Sequence, residues 1–457
     1  MYQKKIQLDT KEELMSIRTK AQVILAVFIL ALAMAPLAAE GGKEESATGE
    51  LSGKITVWSF TDEVGGMVEL FNARYPDIEV EFVVIPNDDE VYLNKMITTM
   101  RSRDSVPDVF TGEAAYFRQF VEAGFWEPIS DAPYNAEELV DDLVPYVVDL
   151  SRDDNGDITA LSWQATPGAM FYRRSIAQEV LGTDDPAVVS EWTSDIEKYY
   201  ELGEMIRDEY DGEKFLVAGF ADMSEFVFNQ RSEPYVQDGV LTIPSSLVDY
   251  MDLAREMREN GVEGGIGTWS PAWFSAMADA SVFSYILPTW GLHYVLKPNA
   301  EPEANAGEAE FSGDWGLTVP PAPYNWGGTW IGVSRFSENK DLAWEFVKFV
   351  GSDPEFARAW AEETGDFVGN LTVVEEIKDD FAEPFLGGQN HYEYFYNEVK
   401  KIDVSRIGPW DFQIQNAWGD QVELYANGEK TKQQAFDGFI AAMADILPNV
   451  EVVIEDH

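Results

Sequence analysis

The residues of this chain best suited to chemistry are indoles. Trp58, Trp163, Trp269, Trp273, Trp290, Trp326, Trp330 and Trp410 mostly fall near glycine or proline, several of them at strand ends or in loops. For any one of them core packing is the simpler account, but the set is harder to dismiss. The densest stretch is YNWGGTWIGV, Tyr324 to Val333, where Trp326, Gly327, Gly328, Thr329 and Trp330 follow one another. Two indoles beside a Gly-Gly backbone make a poor core but a good surface for a flat or ringed small molecule. A pyranose suits it, because its C–H face stacks on an indole while its hydroxyls need carboxylates, amides or arginine as partners. Asn87, Gln164, Asp366, Asn370 and Asp411 supply that polar inventory near the tryptophans.

Covalent chemistry finds little support. The chain has no P-loop, no G-x-S-x-G elbow and no dinucleotide fingerprint. Carboxylate pairs of the glycosidase kind carry no information among 82 acidic residues. Glu113, at a strand end, is the candidate acid if the chain were an enzyme. Zero cysteines remove disulfides, thiol catalysis and thiolate metal sites together. The three histidines, His293, His391 and His457, have no ligand spacing, which argues against zinc or copper. No metal or other cofactor is therefore expected.

Charge narrows the partners. With 82 acidic and 32 basic residues the net charge is −50, which disfavours nucleic acid and anionic membrane surfaces. Such acidity keeps a surface hydrated, either as a solvated face without special purpose or as an adaptation to a saline habitat. It also leaves open a cationic ligand such as a polyamine.

At 457 residues the chain exceeds one ordinary core, so two domains are expected. Arg18 and Lys20 precede an apolar run from Val23 to about Ala39 that closes in small residues. Residues 1–39 therefore read as a signal peptide, with Met15 an alternative start and an uncleaved anchor an alternative outcome. Residues 40–53 read as a flexible acidic tether, and Glu40 stands where a lipoprotein would carry its cysteine. From Lys54 strand and helix alternate. KITVWSF is a strand; Glu63 to Tyr75 places Val64, Met67, Val68 and Phe71 on one helical face and stops at Pro76. EVEFVVIP, a helix from Asp89 to Arg103, and PDVFTG continue the pattern, which predicts a parallel sheet with both faces covered. Ligands of such sheets sit at the carboxyl ends of the strands, here carrying Trp58 to Phe60, Pro86 to Asn87, and Thr111 to Glu113. Residues 175–283 read as mostly helical, VFSYILPTWG as a buried strand, and the C-terminal part as helical to about Leu447.

KITVWSF with FNARYPDIEV, then PDVFTG, LSWQATPGAMFYRR, SYILPTWGLHYVLKPNA, the WGLTVPPAPYNWGGTWIGVSRFSENKDLAWEFVKFV segment, GDFVGN and IGPWDFQIQNA occur in an order and spacing that is specific as a set. Over about Lys54 to Leu447 the chain resembles family 1 extracellular solute-binding proteins, the sugar-capturing components of ABC importers and relatives of maltose-binding proteins. The resemblance implies a two-lobed α/β periplasmic-binding-protein fold, type II-like, each lobe a sheet flanked by helices, with hinge crossings between lobes. It implies crossings near Ser162 to Thr166, Asp314 to Leu317 and Gly365 to Val368. Lobe 1 would comprise 54–165 plus about 317–365, and lobe 2 about 166–316 plus 366–457. The implied function is capture of a sugar or oligosaccharide between the lobes and delivery to ABC permease subunits, by a monomer in the periplasm or outside the cell, with no catalysis. The expected ligand-binding residues are Trp58, Phe60, Asn87, Glu113, Gln164, Trp269, Trp290, Trp326, Gly327, Gly328, Trp330, Asp366 and Asp411. Gln164 departs from relatives that carry a carboxylate there. The alternatives are a secreted polysaccharide-active enzyme, a glycosidase or lyase, and a binder of a cationic solute.

Overall fold

The computed structural model describes residues 51–87 and 91–456. The signal-peptide expectation, residues 40–50 of the expected tether and the start of the second helix at Asp89 lie outside these residues, while Gly53, expected to end the tether, already belongs to the first strand. β1 (Gly53–Ser59) runs parallel to β2 (Ile78–Val84) and to β3 (Val109–Glu113), as the strand–helix alternation predicts. The intervening helix Val64–Arg74 buries Val64, Met67, Val68 and Phe71, the face read from its spacing. β10 (Thr329–Val333) then inserts antiparallel beside β3 and pairs with β4 (Leu161–Ser162), giving the order β2-β1-β3-β10-β4. Helix Lys340–Ser352 covers this sheet with Leu342, Ala343, Phe346, Val347 and Val350.

A second sheet has β5 (Gly168–Arg173) at its centre, antiparallel to both β8 (Ser284–Pro288) and β9 (Trp315–Thr318). All three strands are buried along their whole length. Trp315 to Leu317, part of the expected Asp314 to Leu317 crossing, thus belong to a buried edge strand of the second sheet. These residues pair with β5 inside the second sheet, and the chain passes to the first sheet through 319–328 instead. Gly369 and Thr372 likewise bond to the segment that precedes β4. The Val144 N–H donates to Gly369 O at 2.9 Å, and the Thr372 hydroxyl to Asp142 at 2.7 Å.

A third, small sheet joins β6 (Val236–Gln237), β7 (Val240–Ile243) and β11 (Glu451–Ile454). Sequence periodicity missed it because its strands have two to four residues, and β11 follows a helix ending at Ile446. Asn155 and Gly156 lie in a tight turn. Asp153 Oδ1 accepts the backbone N–H groups of Asn155 (2.8 Å) and Asp157 (3.0 Å). The molecule is a two-lobed α/β protein, each main sheet flanked by helices.

Candidate ligand-binding site

Three connecting segments meet where the sheets join. In the first, residues 163–167, the Ala165 N–H donates to Phe367 O at 2.9 Å and Trp163 O accepts the Gly369 N–H at 2.8 Å. Thr166 O accepts the Trp326 N–H at 3.1 Å, while the Thr166 hydroxyl donates to Gly327 O at 3.0 Å. The first crossing is thus laced to the other two by backbone. Close approach demands glycine at Gly168, whose Cβ would fall 1.9 Å from the Tyr324 ring.

The loop 325–328 carries Trp326 into a cluster of indoles. Trp290 follows β8, and its N–H donates to Trp326 O at 3.1 Å. Ring centroids of Trp290 and Trp326 are 5.7 Å apart at 63°, and those of Trp269 and Trp326 are 5.7 Å apart at 64°. Trp269 and Trp290 lie nearly parallel, 6.2 Å apart at 11°. Gly327 adopts φ +73°, and a Cβ there would sit 3.0 Å from the Trp290 indole nitrogen. Trp269 is 46 % exposed and holds φ +65°, a left-handed conformation uncommon for a bulky residue. Trp290 and Trp326 are partly exposed, so the cluster presents aromatic face to solvent rather than filling a core.

The other predicted indole of the loop does not join them. Trp330 is 1 % exposed, stacks on Phe117 at 3.9 Å and 3°, and donates its N–H to Val147 O at 2.8 Å. It is a core residue: as the second residue of β10 it points beneath the helix Phe117–Glu122. Trp163 and Trp273 are also buried, the latter donating to both oxygens of Asp222 at 3.0 Å. Asp411, expected to bind ligand, is held in an ion pair with Arg231 through Oδ2. Trp58, Phe60 and Asn87 stand together at the strand ends of the first sheet. Lys95 Nζ lies 5.5 Å from the Trp58 ring, Phe60 packs edge-on against Tyr92 at 5.7 Å, and Asn87 accepts the Tyr116 hydroxyl at 3.3 Å.

Carboxylates complete the junction. Glu113 Oε2 accepts the Ala115 N–H at 2.8 Å, and burial pushes the Glu113 carboxyl up to about 7. Glu225, on the other side, is raised to about 8 by burial and then by the charge of Glu113. Asp366 is 1 % exposed, keeps the Phe367 N–H at 3.0 Å, and is raised to about 7 by burial. With its amide oriented to satisfy both ends, Gln164 donates to Asp366 at 3.2 Å and accepts from the Thr329 N–H at 3.3 Å. Gln164 therefore tethers Asp366 across the crossings instead of lying open. Glu63, at the start of helix Val64–Arg74, is raised to about 8 by burial and then by the charge of Asp366. Sequence reasoning missed Glu63, Glu225 and Thr166. Glu63 lies four residues beyond β1, but in so acidic a chain position alone could not single it out.

Among the described residues no group of three or more histidines or acids is arranged to hold a metal ion, and no helix is long and apolar enough to cross a membrane. A separate pocket of about 440 Å³ lies between Pro145 to Leu150 and Ile402 to Ile407 and includes none of the clustered indoles.

The family model described as bacterial extracellular solute-binding protein matches residues 66–384. A maltotriose-binding protein of Pyrococcus abyssi (strain GE5 / Orsay) is 23% identical over 353 residues, 72% of this chain and 68% of that one. The crystal structure of an extracellular solute-binding protein of family 1 superposes with TM-score 0.75 at 18% identity, covering 86% of this chain and 99% of the other. An ABC-transporter-associated binding protein of B. animalis subsp. lactis Bl-04, solved with beta-1,6-galactobiose, gives 0.68 at 18% identity, covering 88% and 100%.

Proposed function

Because the chain belongs to the bacterial extracellular solute-binding protein family, we propose that it captures a sugar or oligosaccharide between its two lobes and hands it to an ABC permease. The observation that carries this reading is the group formed by Trp269, Trp290 and Trp326, aromatic, partly exposed and fastened to the crossing segments. Stacking on such rings contributes about 1 kcal/mol each beyond buried area, and the acids and amides nearby accept hydroxyl protons. The relatives solved or characterised with maltotriose and galactobiose support a saccharide over other solutes.

In this reading one lobe is built on the five-stranded sheet, about 53–162 with 329–364, and the other on the β8-β5-β9 sheet. The segments 163–167, 319–328 and 365–370 form the hinge. Ligand closes the cleft by bridging indoles and carboxylates that the open form holds apart. Trp58, Phe60, Asn87 and Glu113 form the lip of the first lobe, and Gly327 and Gly328 let the backbone approach the ligand. The protein works outside the cytoplasmic membrane as a monomer and catalyses nothing.

The test is a calorimetric panel of mono- and oligosaccharides beside polyamines and amino acids. Micromolar binding of at least one sugar, about −8 kcal/mol, is expected. Stabilisation by amines alone sinks the sugar reading, and new reducing ends during incubation with oligosaccharides would convert it into the enzyme reading.

A further inference from the structure

Trp269 sits at the tip of a turn that is anchored on both sides. Before it, the Thr268 hydroxyl donates to Asp222 at 2.7 Å. After it, the Ser270 N–H donates to Gly267 O at 3.2 Å, and the Ser270 hydroxyl accepts the Trp273 N–H at 3.2 Å to cap helix Pro271–Asp279. The turn holds Trp269 at φ +65°, a conformation a bulky residue adopts only at a cost. Its indole is 46 % exposed, yet it lies against other rings, with Trp273 at 5.1 Å and Phe274 at 6.1 Å.

That indole also stands over Trp290. The two rings are nearly parallel, 11° apart in tilt, with centroids separated by 6.2 Å. Parallel planes cannot lie farther apart than their centroids. A sugar ring held between two indoles needs a layer of contact on each side, about 3.5–4.0 Å apiece or about 7–8 Å in all. No pyranose therefore fits between Trp269 and Trp290 as they stand. The neighbouring loop offers no room either. A Cβ on Gly327 would meet the Trp290 indole nitrogen at 3.0 Å, and Gly327 O is held by the Thr166 hydroxyl at 3.0 Å. Trp326 is fastened by its own N–H to Thr166 O at 3.1 Å and by its carbonyl to the Trp290 N–H. Of these neighbours Trp269 is the most exposed.

We propose that Trp269 is a gate on the sugar site: in the ligand-free protein its indole takes the place beside Trp290 that a sugar ring takes when bound, and the sugar displaces it. This rests on the saccharide reading above. The movement is a side-chain rotation, because Asp222 and the helix cap keep the turn itself in place. Molecules with the gate shut do not bind, so the apparent affinity is lowered by the fraction that is open. The gate also selects. Whatever opens it must replace one indole against another, which favours a solute with a broad apolar face, such as the C–H face of a pyranose, over a small ion or amine.

The experiment measures binding of glucose, cellobiose and maltotriose to the unaltered protein and to Trp269→Ala, by calorimetry and by stopped-flow fluorescence. With the gate removed, at least one of these sugars is expected to bind about threefold to tenfold tighter, through faster association and an almost unchanged dissociation rate. Trp269→Gly is the second variant if Trp269→Ala fails to fold, since glycine adopts positive φ without penalty. Equal or weaker binding to the folded variant, with a sugar still bound by the unaltered protein, shows Trp269 to be an ordinary contact. That result overturns the gate and leaves the saccharide reading intact. Binding of none of the three sugars by any form counts against both.

Discussion

The Trp290 indole N–H donates to the carbonyl oxygen of Trp326 at 3.1 Å. A side chain at the end of a second-sheet strand is thereby fastened to the loop leading into the first sheet. The bond holds the two rings together and ties the aromatic surface to the segment that connects the two sheets.

Replacing Trp326 by Ala removes a partly exposed ring from the cluster. Sugar affinity should fall by about tenfold, with the thermal midpoint little changed. A variant that fails to fold would show Trp326 to be a core residue instead.

Trp330→Ala is the contrasting case four residues on. Its ring is buried and stacked on Phe117 at 3.9 Å, so truncation should cost about 3–5 kcal/mol of stability. Denaturant unfolding measures that loss, and a shift below 1 kcal/mol would contradict the packing described.

Gly168→Ala places a methyl group 1.9 Å from the Tyr324 ring. Overpacking of this kind costs about 1–3 kcal/mol or more, and the Tyr324 hydroxyl bond to Ala169 O should be lost with it. Lowered midpoint and lowered soluble yield are the expected readouts.

The ligand-free protein should lose stability as pH rises toward 8. Glu63 is raised to about 8 by burial and then by Asp366, and Asp366 to about 7 by burial. Both lie above their unfolded values, so the folded state binds more protons than the unfolded one between those limits, and stability falls with rising pH. Self-repulsion of the whole surface acts in the same direction. The specific check is therefore Glu63→Gln, whose thermal midpoint should depend less steeply on pH than that of the unaltered protein.

Much of the architecture was legible in sequence. Val64, Met67, Val68 and Phe71 announce their helix because a 3.6-residue period records which face is covered, whatever covers it. Ile55 and Val57 do the same for β1 with a period of two. The ordered motifs and their spacing were enough to indicate two lobes and their family. The site was less legible. Trp326 and Trp330 look alike in sequence, and only the packing of Phe117, more than two hundred residues earlier, puts one in the core and leaves the other near the surface. Asp411 looks free until Arg231 comes to it from a distant turn. Glu63 is one acid among 82 until burial and then the charge of Asp366 raise its carboxyl. Periodicity is a local property that the chain carries with it, whereas desolvation and charge pairing depend on which distant segments meet. That meeting is decided by tertiary structure alone.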